Sequence, residues 1–427
     1  MRASSLRPAL SRSRLRCLVV GAFVLTFASC GTPSAEVAIH IDQATALLDT
    51  PLSIVVSGLQ AGERVTVKAR TTDSASRIWE AQATFEADSN GSIDLGRSAP
   101  MSGSYKGAVP MGLFSSLHSA DVNPANFQFI PGATGYVVTL TAQVGRAILA
   151  SAEVKRLRTA AGVATRDMRP SDAGFYGRYF SPGYAPTLKP GLLLFGGSSG
   201  GLTRDVEAGL LASHGYPTLE LAYFSEPGLP PSLSRIPLEY FVRALEWLRA
   251  QPGVDASHLV VDGVSRGCEA ALLLGVDYPN LVGAVIALDP SSVALCAYPT
   301  CDGAAWTLGG KNIPYTSMFD EPYPTDEPSA VIPVERIHGP ILLDCGAEDK
   351  VWVSCDFATA ILNRLGAARY PYEDQVLRYS DAGHGIGFPV PFVPDYSVEL
   401  GGSELGQAAD RVDQWPRMLG FLAMVGT

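Results

Sequence analysis

Charged residues and histidines are scarce in this chain. Only 17% of its 427 residues are Asp, Glu, Lys or Arg, six are histidine, and the formal net charge is −10. The negative net charge argues against binding to the phosphate backbone of a nucleic acid, so we expect no nucleic-acid partner. Because hydrophobic residues make up 47% of the chain, the low charge does not indicate disorder. The length is sufficient for two folded domains.

The N-terminal segment has no acidic residue before Glu36 and no apolar run long enough for a permanent membrane helix. Arginines at five positions precede a short apolar core at residues 17–27. Residues 27–30 (Phe-Ala-Ser-Cys) resemble a bacterial lipoprotein signal, in which a small residue precedes a lipidated cysteine. We therefore predict a signal peptide at residues 1–29, lipidation of Cys30, and an exported protein that contacts the membrane only through this anchor. Ordinary cleavage and an uncleaved anchor remain open.

Cysteine is sparse, and no cysteine or histidine spacing is typical of a metal site, so we expect neither a metal nor a cofactor. An exported protein can form disulfides. The two pairings that close short loops would leave one cysteine free, but other connectivities and buried free thiols remain open. These pairings are Cys296 with Cys301 and Cys345 with Cys355, and the remaining cysteine is Cys268.

A Gly-x-Ser-x-Gly turn follows an apolar run within residues 259–275. Gly263 and Gly267 flank Ser265, and a small-residue helix pattern begins at Cys268. This order of strand, sharp turn and helix is typical of a nucleophile elbow, which holds a serine hydroxyl above a sheet edge. The glycines are needed because neighbouring backbone segments come too close for a Cβ. We therefore predict Ser265 as a nucleophile.

The candidates for an acid and a base are few. Beyond the serine the chain has only His338, which precedes an apolar run, and His384, which lies between two glycines. In an α/β-hydrolase the acid follows the serine and the histidine follows the acid, so we expect His384 to be the base. After the strand-like run at residues 341–344, Asp349 is the preferred acid and the adjacent Glu348 remains open.

A second Gly-x-Ser-x-Gly sequence occupies residues 197–201 after another apolar run. As a nucleophile, Ser199 would leave roughly 150 residues and several strand-like runs before the acid, which does not suit the fold. We expect this loop to form the oxyanion hole instead, through the N–H groups of Arg266 and of Gly197 or Ser198. The Arg266 side chain is expected either to contact an anionic substrate or to point into solvent.

The chain divides into a strand-rich part and an alternating part. Short β-like runs at residues 52–59, 64–70 and 135–144 predict a small β-sandwich at residues 30–164. Strand-like runs alternating with amphipathic segments then predict an α/β-hydrolase catalytic domain at residues 165–427, whose clearest helix begins near Leu238. The proline-rich residues 312–335 lie between two sheet strands and are a candidate lid or substrate wall.

The ordered motifs resemble the acyl-CoA thioesterase and bile acid-CoA:amino acid N-acyltransferase family. The resemblance covers nearly all of the exported part and implies a β-sandwich followed by an α/β-hydrolase. It also implies a triad of Ser265, Asp349 and His384. The motifs that carry it occupy residues 49–69, 104–114, 192–201, 236–254, 263–267, 345–352, 382–385 and 401–419.

The nucleophile separates this chain from family members dedicated to amino-acid conjugation, which resemble each other in using cysteine. Serine favours water as the acceptor, so we predict hydrolysis of acyl-CoA to a free acid and CoA through an acyl-enzyme intermediate. CoA thioesters are not expected outside the cytoplasmic membrane, so an exported carboxylesterase acting on small non-CoA esters remains an alternative. An acyl-CoA:amino acid N-acyltransferase and a non-catalytic, ligand-binding surface lipoprotein are the others.

Overall fold

The computed structural model describes residues 36–183, 187–319 and 325–426, and from Val37 onward the chain packs as one unit. The expected signal peptide and Cys30 lie outside these residues. Within the described ranges, no helix combines the length and the apolar character needed to cross a membrane.

Strands with alternating buried and exposed residues form the N-terminal part, as the short β-like runs predict. The elements in chain order are β1 (Ala38–Ile41), β2 (Thr45–Leu47), β3 (Ile54–Ser57), β4 (Arg64–Thr72), β5 (Ile78–Glu86), β6 (Ile93–Asp94), β7 (Ser102–Gly103), α1 (Gly112–Ser115), β8 (Asn126–Gln128), β9 (Gly135–Val144) and β10 (Ala147–Leu157). Three strands form one sheet in the order β1-β3-β6, and six form a second in the order β2-β10-β9-β4-β5-β7. Their inward side chains share one hydrophobic core, which makes this part a β-sandwich.

Strands and helices alternate in the rest of the chain. The elements in chain order are β11 (Ala164–Met168), α2 (Pro170–Ala173), β12 (Tyr176–Ser181), β13 (Lys189–Phe195), α3 (Asp205–Ser213), β14 (Thr218–Ala222), β15 (Ile236–Pro237), α4 (Leu238–Arg249), β16 (Val254–Val264), α5 (Arg266–Asp277), β17 (Ala284–Leu288), β18 (Trp306–Leu308), β19 (Lys311–Asn312), β20 (Ile341–Gly346), α6 (Ser354–Ala367), β21 (Asp374–Tyr379), β22 (Asp395–Ser397) and α7 (Glu404–Val425).

Eight of these strands form one sheet in the order β11-β12-β14-β13-β16-β17-β20-β21. From β14 onward neighbouring strands are parallel, whereas β12 is antiparallel to both of its neighbours. All residues of β14 and β17 are buried, as expected for a sheet covered by helices on both faces. This architecture confirms the predicted fold class, an α/β-hydrolase preceded by a β-sandwich.

The β-sandwich and the α/β part are joined by contacts between residues that lie far apart in the chain. Strand β22, near the C-terminus, pairs with β8, and Trp415 Nε1 donates a hydrogen bond of 2.8 Å to Asp49 Oδ2. The first strand of the large sheet begins at Ala164. The division into domains at residues 164 and 165 stays a prediction, because the described chain packs as one unit.

Candidate active site

Ser265 lies in the sharp turn between β16 and α5. Its backbone has φ 56° and ψ −124°, a conformation that non-glycine residues rarely adopt and that is typical of strained functional turns. A Cβ at Gly263 would collide with the carbonyl of Gly267, and a Cβ at Gly267 would collide with the carbonyl of Gly196. Both flanking glycines are therefore required by close backbone packing, as the elbow motif predicts.

His384 links Ser265 to Asp349. Its Nε2 lies 2.9 Å from Ser265 Oγ, and its Nδ1 lies 2.9 Å from Asp349 Oδ2. The other carboxylate oxygen of Asp349 accepts hydrogen bonds from the backbone N–H groups of Val351, at 2.8 Å, and Trp352, at 3.1 Å. These bonds fix the carboxylate, so that Nδ1 carries its proton toward Asp349 and Nε2 is left to accept one from the serine.

The three side chains come from loops at one edge of the sheet. Ser265 follows β16, Asp349 follows β20 and His384 follows β21, and the carboxyl ends of parallel strands meet at the same edge. Only 8% of the His384 side chain and 2% of the Asp349 side chain are exposed. In such a site hydrogen bonds are stronger than in water.

The residues that the sequence offered as alternatives to the acid, the nucleophile and the base lie outside the triad. The side chains of Glu348, Ser199 and His338 are exposed. Glu348 instead uses its backbone N–H, which donates to the carbonyl of Ala382. Over the part of the chain that the structure describes, none of these three side chains has a hydrogen bond to Ser265, Asp349 or His384.

The loop after β13 borders the serine. A Cβ at Gly197 would lie 2.9 Å from Ser265 Cβ and 3.3 Å from its Oγ. Within the described ranges the backbone N–H groups of Gly197, Ser198 and Arg266 have no hydrogen-bond partner. The Arg266 amide begins helix α5, where such groups are unsatisfied and favour negative charge. These amides are therefore available to an oxyanion beside Ser265.

Both expectations for the Arg266 side chain are wrong, because it is only 1% exposed. Its Nε pairs with Glu269 Oε1 at 2.5 Å, and its Nη2 donates to the carbonyls of Leu295 and Cys296 at 3.1 and 2.8 Å. Glu269 Oε2 also accepts a hydrogen bond from Trp306 Nε1 at 2.9 Å. A buried guanidinium needs such partners, and these hydrogen bonds connect helix α5 to the segment that follows β17.

Two disulfides lie near the site. Cys296 is bonded to Cys301 and Cys345 to Cys355, while Cys268 is buried and free. These are the short-loop pairings that the sequence left open among others. The second disulfide closes the loop that carries the acid of the triad.

Sequence reasoning missed one buried acid beside His384. Asp289 directly follows β17, and its Oδ2 lies 3.9 Å from His384 Nδ1 and accepts the N–H of Gly387 at 3.1 Å. Burial and the nearby charge of Asp349 raise the pKa of Asp289 well above its usual range. The available signal was an aspartate at the end of the strand-like run, residues 281–289.

The same three side chains have the spacing of a possible metal site. One ligand atom from each of Asp289, Asp349 and His384 lies within 4.8 Å of the others. Both ring nitrogens of His384 already make hydrogen bonds to protein groups, however. These three side chains therefore fit the acid and base of a hydrogen-bonded catalytic triad, with a neighbouring acid, better than a metal-binding site.

A cavity of about 580 Å³ is lined by residues of the chain segments that adjoin the site, although the three triad residues are not among the described residues of its lining. It is lined by Ser199, two residues beyond Gly197, and by Phe388, adjacent to Gly387. The charged residues of its lining form ion pairs with one another, and the apolar residues make up much of the remaining wall. The pairs are Arg158 with Asp205, Arg204 with Glu207, and Arg411 with Asp395.

The chain is similar to known proteins over most of its length. Residues 49–170 match the acyl-CoA thioester hydrolase/BAAT N-terminal region, and residues 236–302 and 306–425 match the BAAT/acyl-CoA thioester hydrolase C-terminal region. Acyl-coenzyme A thioesterase 6 of Mus musculus is 31% identical over 409 residues, covering 87% of this chain and 93% of that protein. Peroxisomal succinyl-coenzyme A thioesterase of Mus musculus is 28% identical over 420 residues, with the same coverage of both chains.

Among solved structures, the chain is similar to a putative dienelactone hydrolase from Klebsiella pneumoniae subsp. pneumoniae MGH 78578. That similarity has a TM-score of 0.42 and 18% identity, and it covers 61% of this chain and 98% of the other. Because the score is low, the fold is established by the strand order described above.

Proposed function

Because this chain belongs to the acyl-CoA thioester hydrolase and bile acid-CoA:amino acid N-acyltransferase family, we propose that it hydrolyses acyl-CoA to a free acid and CoA. The protein is an enzyme with hydrolase activity toward thioesters or esters. The observation that supports acyl transfer by a serine nucleophile is the pair of hydrogen bonds that join Ser265 to His384 and His384 to Asp349. The backbone N–H groups proposed for the oxyanion hole lie beside this triad.

The proposed reaction has two steps. His384 takes the Ser265 proton as the hydroxyl oxygen attacks the acyl carbon, and Asp349 stabilises the resulting imidazolium. The N–H groups of Arg266 and of Gly197 or Ser198 hold the tetrahedral oxyanion. The thiolate leaves with the acyl–sulfur electron pair and takes the proton that His384 carries. The neutral His384 then takes a proton from water, whose oxygen attacks the acyl-enzyme, and gives it to Ser265 Oγ as the acid is released.

The test is hydrolysis by the purified protein beginning after Cys30, with acyl-CoA substrates of several lengths and with aryl esters. We expect a higher kcat/KM for acyl-CoA, and a loss of about 10⁴-fold or more in Ser265→Ala. Fluorophosphonate should label wild-type Ser265 and fail to label the variant. Undiminished acyl-CoA hydrolysis by Ser265→Ala would contradict the proposed nucleophile.

The cavity beside the site is the proposed place for the acyl chain. Its arginines are already paired with acids, so its free surface is better suited to a hydrocarbon chain than to phosphates. Val206 contributes to this lining from α3. Val206→Trp should lower kcat/KM for long-chain acyl-CoA more than for short-chain acyl-CoA, whereas Val206→Ala should not reverse the length preference. An unchanged profile in the tryptophan variant would place the chain elsewhere.

An exported carboxylesterase acting on small non-CoA esters is the second candidate. The signal-like N-terminal segment favours it, and so do the two disulfides, since disulfides persist in oxidising compartments. Aryl-ester hydrolysis without a preference for CoA substrates would support this candidate over the first.

The proposed location is outside the cytoplasmic membrane, with Cys30 as the lipid attachment site. Metabolic labelling with a fatty-acid analogue should mark the wild-type chain and fail to mark Cys30→Ala, while both proteins are exported. Labelled Cys30→Ala, or wild-type protein that stays in the cytoplasm, would contradict this location.

A further inference from the structure

Asp289 is a buried acid that the proposed mechanism does not use. It is 0% exposed, and its Oδ1 has no hydrogen-bond partner among the described residues. Its Oδ2 faces His384 Nδ1 at 3.9 Å, against 2.9 Å for the Oδ2 of Asp349. The Nδ1–H group of His384 is therefore hydrogen-bonded to Asp349, and a short movement of the Asp289 side chain would bring a second carboxyl group into hydrogen-bond distance of it.

We propose that Asp289 is a second positioning acid for His384, able to take over the Nδ1 hydrogen bond when Asp349 is absent. The proposal rests on the catalytic triad proposed above. Asp289 follows β17 and Asp349 follows β20, so neighbouring strands hold the two acids on the same side of the histidine. A movement of about 1 Å brings Oδ2 of Asp289 within hydrogen-bond distance of Nδ1.

Burial is the largest cause that raises the pKa of Asp289, and the nearby Asp349 and Asp344 side chains add to it. Removal of Asp349 removes one of these causes and so lowers the pKa of Asp289. The proposal requires that the Asp289 proton then passes to solvent. The resulting carboxylate accepts the hydrogen bond from Nδ1–H and stabilises the imidazolium as Asp349 does. The ionisable groups that face Asp289 are Asp344, Asp349, Cys268, His384 and Arg411.

The choice of substitution decides whether the second acid can act. An asparagine at position 349 would present its NH₂ group to Nδ1 and favour the wrong tautomer of His384. Asp349→Ala leaves Nδ1–H without its partner and adds no competing donor. Asp289→Asn keeps an oxygen for the N–H of Gly387 but removes the ionisable carboxyl group.

The experiment compares Asp349→Ala, Asp289→Asn and the double variant by the second-order rate of fluorophosphonate labelling of Ser265. This rate does not depend on the natural substrate. We expect Asp349→Ala to lose about 10- to 100-fold and the double variant to approach the 10⁴-fold loss typical of a triad without its acid. We expect Asp289→Asn alone to lose less than Asp349→Ala. A double variant that labels as fast as Asp349→Ala overturns the proposal.

A pH profile separates positioning from a merely structural effect. A carboxylate beside the imidazole favours its charged form, so the midpoint of the labelling rate against pH should be higher in Asp349→Ala than in the double variant. Equal midpoints overturn the proposal. Glu246→Gln is the control, since this exposed carboxylate lies in α4 and pairs with Arg249, and added to Asp349→Ala it should leave the midpoint unchanged. Circular dichroism is used to check that each variant is folded. Labelling of Ser265→Ala tests the proposed nucleophile separately from the second acid.

Discussion

The hydroxyl of Tyr223 lies 2.8 Å from the carbonyl oxygen of Gly196 and 3.1 Å from that of Gly197. Since a trans peptide group is planar, the N–H groups that belong to these carbonyls, those of Gly197 and Ser198, point away from the tyrosine. A fully buried hydroxyl thus fixes the orientation of the amides proposed for the oxyanion hole.

Tyr223→Phe should therefore lower kcat with little change in KM. Loss of a single oxyanion donor costs about 10²–10³-fold, and a less constrained donor should cost about tenfold or more. Tyr240→Phe is the matched control, because the Tyr240 hydroxyl also donates to a buried carbonyl, that of Ala222 at 2.7 Å, but among the described residues makes no hydrogen bond to Gly196 or Gly197. Equal kcat values in the two variants would show that the Tyr223 hydroxyl does not position the amides of the oxyanion hole.

The parts of the fold that local patterns specify were predictable from the sequence. The elbow at Ser265 depends on two glycines within two residues, and helix α4 depends on an apolar period that ends before Pro252 and Gly253. These signals act over one turn or one strand. The family motifs then supplied the order of the parts.

The contacts that the sequence could not specify join residues far apart in the chain. Arg266 is buried because carbonyls about 30 residues away accept its hydrogen bonds. Asp289 faces His384 because β17 lies beside β20, a relationship that sheet order alone creates. The choice between Glu348 and Asp349 depends on the turn that points one adjacent side chain inward and leaves the other exposed.

Gly267→Ala should destabilise the protein and slow Ser265 acylation together. The added Cβ would collide with the backbone carbonyl of Gly196, so the loop that carries Gly197 must move. Overpacking of this kind costs about 1–3 kcal/mol of unfolding free energy. Gly420→Ala is the control, since Gly420 lies exposed in α7 with open space around it and should gain about 0.5–1 kcal/mol. Urea denaturation and fluorophosphonate labelling measure both effects, and a normal labelling rate in Gly267→Ala would contradict the argument.

Glu220 should make the protein less stable as the pH rises. Its Oε1 accepts the backbone N–H of Arg204 at 2.5 Å, and burial raises its pKa to about 8 from the ordinary value of 4.5. Between these values the folded state holds a proton that the unfolded state releases, so the unfolding free energy falls by up to about 1.4 kcal/mol per pH unit. Glu220→Gln should flatten this fall when denaturation is measured at pH 5 and pH 8. Glu246→Gln alters an exposed carboxylate and should leave the wild-type slope, and the same slope in Glu220→Gln would refute the assignment.

The disulfide between Cys345 and Cys355 should matter more for catalysis than the one between Cys296 and Cys301. The first spans 10 positions and closes the loop that holds Asp349 against His384, whereas the second lies in the segment that Arg266 binds through a backbone carbonyl. Removing either disulfide should cost about 2–4 kcal/mol of unfolding free energy. Paired alanine substitutions at each disulfide, assayed on folded protein well below its Tm, should lower kcat at least severalfold for the first pair and less for the second. Equal kcat values would mean that the backbone hydrogen bonds to Asp349 hold the acid without help from the covalent bond.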